Sequence, residues 1–181
     1  KAKTLGIPES KWVYPYAGVE GRDHFSASVR DKFYESPAIR LVGQKLFELT
    51  EKTPEDLDLV DLYSCFPSAV QIAAKELGLS EARSLPVTGG LTFGGGPVNN
   101  YVMHSIATMV EQLRENTGKT GLITANGGNL YKQAQCIYSG TPPENDFQRE
   151  NVQEEIDALP ARTCLSSFVG AVTVESYTVM Y

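Results

Sequence analysis

The sequence predicts a layered α/β domain with helices on the faces of its sheet. Amphipathic stripes with helical spacing and short β-prone runs alternate along the chain, in the order strand, helix, strand, helix, glycine-rich loop, helix, strand, turn, strand. The 181 residues are 41% hydrophobic and 21% charged, which allows one globular core. This composition excludes a wholly disordered, collagen-like or membrane-spanning chain.

The first 36 residues carry mixed signals. The aromatic segment 12–16 is β-prone but contains Pro15, which predicts an edge strand or a loop with an interface surface. The following segment, 18–25, contains two glycines and mixed charge, so we expect a loop there.

Two helices flank the next predicted strand. Ser36 is a good N-cap, Pro37 suits the first helical turn, and an apolar stripe continues to Thr53. Residues 57–66 are nearly continuous in apolar side chains, which favours a strand covered on both faces. A second helix is predicted from Pro67 to about Gly78.

The middle of the chain is rich in glycine. Residues 85–97 contain five glycines and precede a long helix predicted over 98–114. Residues 120–125 predict a strand, 126–129 a turn, and 135–138 a further short strand.

The end of the chain changes character. Residues 141–162 are acidic and predict a solvated surface insertion that contains one short amphipathic helix. From Gly170 onward, apolar and polar residues alternate, which predicts a half-buried strand. We therefore divide the chain into a domain over 1–140, the insertion, and a strand over 163–181 that returns to the sheet. Because the chain starts without Met and stops inside this alternation, we expect a piece of a longer polypeptide.

The charge and the cysteine content of the sequence restrict which binding partners and which cellular compartment we expect for this protein. The chain has 16 Lys and Arg and 22 Asp and Glu, a net charge of −6, whereas nucleic-acid binding needs a basic surface. The three cysteines, Cys65, Cys136 and Cys164, are odd in number and far apart, which favours a reducing compartment such as the cytoplasm. Neither His24 nor His104 has another ligand at metal-binding spacing, so we expect no metal. No apolar run is long enough to span a bilayer, so we expect no membrane span.

Three loops lie where open α/β folds place their sites, namely residues 63–66, 89–97 and 126–129. Cys65 lies near a predicted helix N-terminus, where the helix dipole favours a thiolate, so it is a candidate acid/base or nucleophile; the alternative is a small buried hydrophobic residue. The glycine loop offers backbone N–H groups to an oxyanion, and the alternative is a tight turn that lets a helix approach the sheet.

The order and spacing of these loops resemble the C-terminal half of the thiolase superfamily. The segments YSCF, GGLTFGGGP and ANGG are similar to those of sterol-carrier-type and acetyl-CoA acetyltransferase-like thiolases, including thiolases among lipid-transfer proteins. The resemblance covers roughly residues 36–140. It implies a thiolase-like layered αβα fold with a mixed sheet, acyl transfer in lipid metabolism, a coenzyme A thioester as substrate with no bound cofactor, and a homodimer.

Residue by residue, the resemblance is incomplete. Cys65 and Phe66 match the His-Asp-Cys-Phe loop of the sterol-carrier type, in which this cysteine is implied to serve as acid/base, while Tyr63 replaces the histidine. Gly96 stands in place of the histidine of Gly-His-Pro, and Ala125 stands in place of the cysteine of Cys-x-Gly. The chain therefore retains the loops of the family without its usual proton-transfer groups.

The candidate catalytic residues are Cys65, Tyr63 and Asn126. A phenol has a pKa near 10, so Tyr63 would serve as a hydrogen-bond or proton donor rather than as a base. The candidate substrate-binding residues are Phe66, Gly94, Gly95, Gly96, Gly127, Gly128 and Tyr131.

Three functions remain open on the sequence alone. The first is an enzyme that handles acyl-CoA, with acyl transfer as the family default and retro-aldol cleavage favoured by the substitutions. The second is a non-catalytic, lipid-CoA-binding subunit that shapes the site of a second protein subunit. The third is an α/β binding domain in which the glycine loops are only turns.

Overall fold

The computed structural model describes residues 1–175, 177 and 179. Over this part the chain forms a five-stranded sheet in the order β2-β3-β4-β1-β5. The strands are β1 (Tyr14–Arg22), β2 (Leu59–Asp61), β3 (Thr120–Gly127), β4 (Lys132–Ser139) and β5 (Gln148–Asn151). The α-helices are α1 (Pro37–Thr50), α2 (Pro67–Glu76), α3 (Leu91–Gly94), α4 (Tyr101–Glu115) and α5 (Gln153–Asp157). Within these residues, no helix is both long enough and apolar enough to cross a membrane.

The sheet is mixed, as the resemblance implied. Strand β4 runs antiparallel to both β1 and β3, whereas β2 is parallel to β3 and β5 is parallel to β1. Strands β1, β2, β3 and β5 therefore point the same way, and their carboxyl ends meet at one edge of the sheet.

Helices cover both faces of the sheet, which confirms the layered α/β prediction. On β3, Leu122 packs into the core beneath α1, α2 and α5, while its neighbour Ile123 packs against Met109 and Leu113 of α4. Successive residues of a strand point to opposite faces, so these two apolar clusters form two separate layers.

The predicted first helix begins where its sequence indicates. The hydroxyl of Ser36 accepts a hydrogen bond from the Ile39 backbone N–H at 3.2 Å, and Pro37 occupies the first turn. Its predicted stripe faces the core through Ile39, Val42 and Leu46, which are all buried.

The loop predicted over 18–25 is wrong for residues 18–22, which belong to β1, between β4 and β5. Tyr14 and Pro15 form the start of this strand and pair with β4 alone, since β5 pairs only with residues 17–20, which agrees with the edge-strand prediction for 12–16. A register shift next to Pro15 accommodates the missing backbone N–H. At Gly21, a Cβ would lie 2.6 Å from the Ile156 side chain, so glycine at this position allows α5 to pack closely against the strand.

Two predicted elements are shorter than expected. Strand β2 ends at Asp61, because the backbone N–H of Tyr63 donates to the side-chain hydroxyl of Thr124 on β3, at 2.9 Å, instead of to a backbone carbonyl. The helix predicted from residue 98 begins at Tyr101, since Val98 has a φ of 52°, which a right-handed helix excludes. The predicted turn over 126–129 starts later, since β3 continues to Gly127.

The end of the chain also departs from expectation. Segment 141–162 is more than a surface insertion, because it provides the edge strand β5 and the predicted short helix, which buries Val152 and Ile156. Its acidic side chains are mostly exposed. The strand predicted over 163–181 is not observed in the described residues of this segment, which are exposed and belong to no helix or strand. Thr178 and Met180, which the alternation also placed in that strand, lie outside the described residues.

Candidate functional site

The structure brings the first and third loops together at the carboxyl edge of the sheet. Because β2 and β3 are parallel neighbours, the loop after β2 reaches the last residues of β3. The side-chain amide of Asn126 donates to the sulfur of Cys65 at 3.4 Å. Cys65 is a free, half-buried thiol two residues before α2, so an amide donor and the start of a helix both face this sulfur.

A buried glutamine fixes the orientation of Asn126. The Nε2 group of Gln133, on β4, donates to Asn126 Oδ1 at 3.5 Å and to the Leu130 carbonyl at 3.0 Å. With its oxygen occupied in this way, Asn126 presents its NH₂ group to Cys65. The sequence analysis did not identify Gln133, because only the pairing of β3 with β4 places it beside Asn126.

Tyr63 is positioned by its backbone and by a second tyrosine. The ring of Tyr63 contacts the ring of Tyr101 edge to face, with centroids 5.2 Å apart and an interplanar angle of 81°. Burial, with smaller contributions from Cys65 and Tyr101, raises the pKa of Tyr63 above its usual value. The phenol therefore stays protonated near neutral pH, which suits a hydrogen-bond or proton donor.

The glycine loop meets the cysteine loop at Gly90. The Leu91 backbone N–H donates to the Ser64 hydroxyl at 3.0 Å, and a Cβ on Gly90 would lie 2.8 Å from that oxygen. Gly90 also has a φ of 77°, which favours glycine. Contact between the two loops thus runs through Gly90 and Leu91, which precede the predicted substrate-binding glycines 94–96.

The three predicted glycines of that segment lie further along the loop. A Cβ built on Gly94 would lie 3.7 Å from the Tyr101 ring and 4.0 Å from His104 Nδ1, while Gly95 and Gly96 have no heavy atom within 4 Å of such a Cβ. His104 is exposed on α4, so an imidazole from this helix lies beside the glycine loop.

The remaining predicted binding residues lie at the rim and at the β3–β4 turn. Phe66 is 68% exposed at the start of α2. Gly128 has a φ of 61°, and a Cβ there would lie 2.0 Å from the Tyr131 ring. Tyr131 packs against Phe25 with ring centroids 5.3 Å apart, so it supports the turn.

A groove opens beside this turn. It has a volume of about 460 Å³, and its lining includes Asn126, Gly127, Arg22 and Lys132. Two cations therefore line this groove, within a chain of net negative charge. A Cβ on Gly127 would lie 3.3 Å from the Lys132 side chain, so Lys132 lies on the face of the sheet opposite to the Asn126 side chain.

Comparison with solved structures identifies the fold. A monomeric SCP2-thiolase like protein type 1 from Mycobacterium smegmatis matches with a TM-score of 0.80 and 35% sequence identity, over 88% of this chain and 36% of that protein. The chain has a sterol-carrier-type thiolase-like fold. An Ltp2-ChsH2(DUF35) aldolase shares the fold with a TM-score of 0.56 and 21% identity, over 72% of this chain and 40% of that one.

This thiolase-like chain spans little more than a third of the length of the mycobacterial protein. Searches of protein-family models and of curated proteins return no match. The thiolase-like fold explains why three loops that are distant in sequence occupy one edge of the sheet. At three positions of this fold, Tyr63, Gly96 and Ala125 replace groups that the family resemblance implies for proton transfer.

Proposed function

We propose that this chain forms part of a pocket that handles an acyl-CoA thioester in a thiolase-like protein. The contact between the Asn126 amide and the Cys65 sulfur carries this proposal, because it places a hydrogen-bond donor and a thiol at the carboxyl edge of the sheet. Tyr63 adds a protonated phenol next to them, and such donors stabilise the oxyanion or enolate that forms from a thioester.

The charge distribution supports an anionic substrate. Arg22 and Lys132 line the groove that reaches Asn126, and neither forms an ion pair with a carboxylate in the described part of the chain. Glu20 also lines this groove, but Arg149 pairs with it at 2.9 Å. The groove therefore has positive charge available for the phosphates of coenzyme A, on the face of the sheet opposite to the Asn126–Cys65 contact.

The first candidate reaction is acyl transfer, the default of the family. Its usual activation of the nucleophile needs a histidine, and the glycine loop carries Gly96 at that position. His104 lies beside Gly94 and is the imidazole that this part of the site offers.

The second candidate is retro-aldol cleavage of a β-hydroxyacyl-CoA, favoured by the protonated Tyr63. In such a step a base removes the hydroxyl proton, the bond between the α- and β-carbons breaks, and an enolate thioester forms. A neutral phenol can hold the enolate oxygen and return a proton to the α-carbon. The solved structure described as an aldolase has the same fold, which is compatible with this chemistry.

The homodimer that the resemblance implied gains no support. The mycobacterial neighbour is described as monomeric. A second protein subunit remains our proposal for a partner.

The proposed function is tested with the full-length protein. We expect acyl-CoA or β-hydroxyacyl-CoA to yield free CoA or a cleaved carbonyl product, measured by a thiol reagent and by mass spectrometry. Cys65→Ala and Tyr63→Phe should each lower the rate by about 10²-fold, the usual effect of removing one acid/base group or oxyanion donor.

Cys164→Ser is the matched control, since Cys164 is exposed and lies after the last helix. It should leave the rate unchanged. Unchanged rates in both site variants would remove Cys65 and Tyr63 from the mechanism. Saturable binding without turnover would indicate a lipid-CoA-binding subunit, and calorimetry that shows no binding would contradict acyl-CoA as the ligand.

A further inference from the structure

The carboxyl group of Asp61 is buried at the end of β2 without a counter-charge. Its residue is 0% exposed, and it forms no ion pair with any described residue. A buried carboxylate is costly unless its oxygens accept several hydrogen bonds. Such a group is retained only where its surroundings supply those donors.

Four donor groups surround the two oxygens of Asp61. Oδ1 accepts from the backbone N–H of Thr88 at 3.2 Å and from the Thr88 hydroxyl at 2.9 Å. Oδ2 accepts from the Tyr101 hydroxyl at 3.3 Å and from the Ser105 hydroxyl. Because the Thr88 and Tyr101 hydroxyls lie 2.6 Å apart and each has one proton, one of them donates to the other, which leaves three donors for the carboxyl oxygens at any time.

These hydrogen bonds join three segments that carry the candidate site. Asp61 precedes the Tyr63–Phe66 loop, and Thr88 begins the glycine loop, where its hydroxyl accepts from the Gly90 N–H at 3.1 Å. The hydroxyl of Tyr101, on α4, lies 2.6 Å from the Thr88 hydroxyl, and the Tyr101 ring packs against the Tyr63 ring.

We propose that Asp61 is a positioning residue of this site, which holds the Tyr101 ring against Tyr63 and the glycine loop against the cysteine loop. It has no contact with the proposed substrate. Its effect on turnover rests on the proposed function, whereas its effect on the geometry around Cys65 does not.

The test compares Asp61→Asn with Leu113→Ala in the full-length protein. Asn keeps the size of the side chain, but its NH₂ group faces donors where an acceptor is needed. Leu113 is buried on the same helix as Tyr101 and packs with Met109 and Ile123, away from the hydrogen-bonded groups, so its truncation reports loss of stability alone.

The first readout is the alkylation rate of Cys65 by iodoacetamide in the folded protein, followed on its own peptide by mass spectrometry. We expect Asp61→Asn to raise this rate about five-fold, because the loop loses its anchor and the half-buried thiol becomes more accessible. Leu113→Ala should leave it within about two-fold at equal fraction folded. This measurement needs no turnover, so it holds or fails independently of the proposed function.

The second readout is steady-state kinetics, where the protein turns over acyl-CoA. Asp61→Asn should lower kcat by about 10²-fold with KM nearly unchanged, as expected for misplacement of reacting groups. Should Asp61→Asn not fold, Thr88→Val removes one hydroxyl donor and should raise Cys65 alkylation in the same direction. Alkylation in both variants equal to that of Leu113→Ala would overturn the proposal.

Discussion

At the scale of single residues, burial raises the pKa of one thiol and of two phenols in this protein. Burial raises the pKa of the Cys136 thiol to about 11 and raises the pKa of its neighbour Tyr138 as well. Tyr63 follows the same rule at the candidate site. These shifts follow from the tertiary structure, since a cysteine and a tyrosine that are exposed to water have their ordinary reference pKa values.

Asp23 provides a residue-scale prediction on pH dependence. Burial raises its pKa above 3.8, although hydrogen bonds from the Ser36 hydroxyl and the Ala38 N–H oppose the shift. With the folded pKa above the unfolded one, the native state binds the proton more tightly. This contribution to stability is fully present below pH 3.8 and is lost as the pH rises through the folded pKa.

We therefore expect Asp23→Asn, which does not titrate, to lose less stability than the wild type as the pH rises above the unfolded value of 3.8. The free energy of unfolding, measured by urea denaturation across this pH window, checks it. Parallel pH profiles for the two proteins would show that Asp23 has no shifted pKa.

At the scale of elements, local signals predict helices better than strands here. The start of α1 follows from Ser36 and Pro37, because cap chemistry lies within a few residues. The part of β1 over 18–22 was predicted as a loop, because Gly21 is explained only by the close approach of Ile156, far away in sequence. A strand gains its stability from neighbours that a local pattern does not contain.

Two glycines near the α4–β3 connection give a matched prediction at this scale. Gly140 follows β4, and a Cβ there would lie 2.7 Å from backbone atoms of Thr117, whereas Gly118 has nothing within 4 Å. Gly140→Ala should lower the free energy of unfolding by about 1–3 kcal/mol, since backbone must move to relieve the overlap.

Gly118→Ala should change the same quantity by less than about 1 kcal/mol. Urea denaturation of both variants checks the pair. Equal effects would contradict the close packing of Gly140 against Thr117.

At the scale of the whole molecule, two helical layers enclose one mixed sheet, and the segment after α5 lies outside them. Residues 163–175 are exposed and belong to no strand or helix, and Phe168 among them is 61% exposed. Loop 23–35, by contrast, is tied to the body by the Arg30 side chain and by the hydrogen bond from the Asp23 N–H to Tyr131.

Limited chymotrypsin digestion of the 181-residue chain should therefore cut first after Phe168, because a protease needs an exposed segment that can be held extended. Mass spectrometry of the early fragments identifies the site, and Phe168→Ala should delay the first cut. Early cleavage after Tyr101, which is 1% exposed, would contradict the described packing.

The sequence by itself determined the layered α/β class and the first helix with its cap, which follow from periodicity and cap chemistry, properties of contiguous residues. The roles of Cys65, Tyr63 and Asn126 come from the resemblance to a family and stay predictions. Only the tertiary structure decided that β1 is an interior strand, that Gly90 is where the two loops meet, and that Asp61 and Tyr101 lie beneath Tyr63. The physical reason is that strand pairing and the satisfaction of a buried carboxylate join residues tens of positions apart, and no local pattern records such partners.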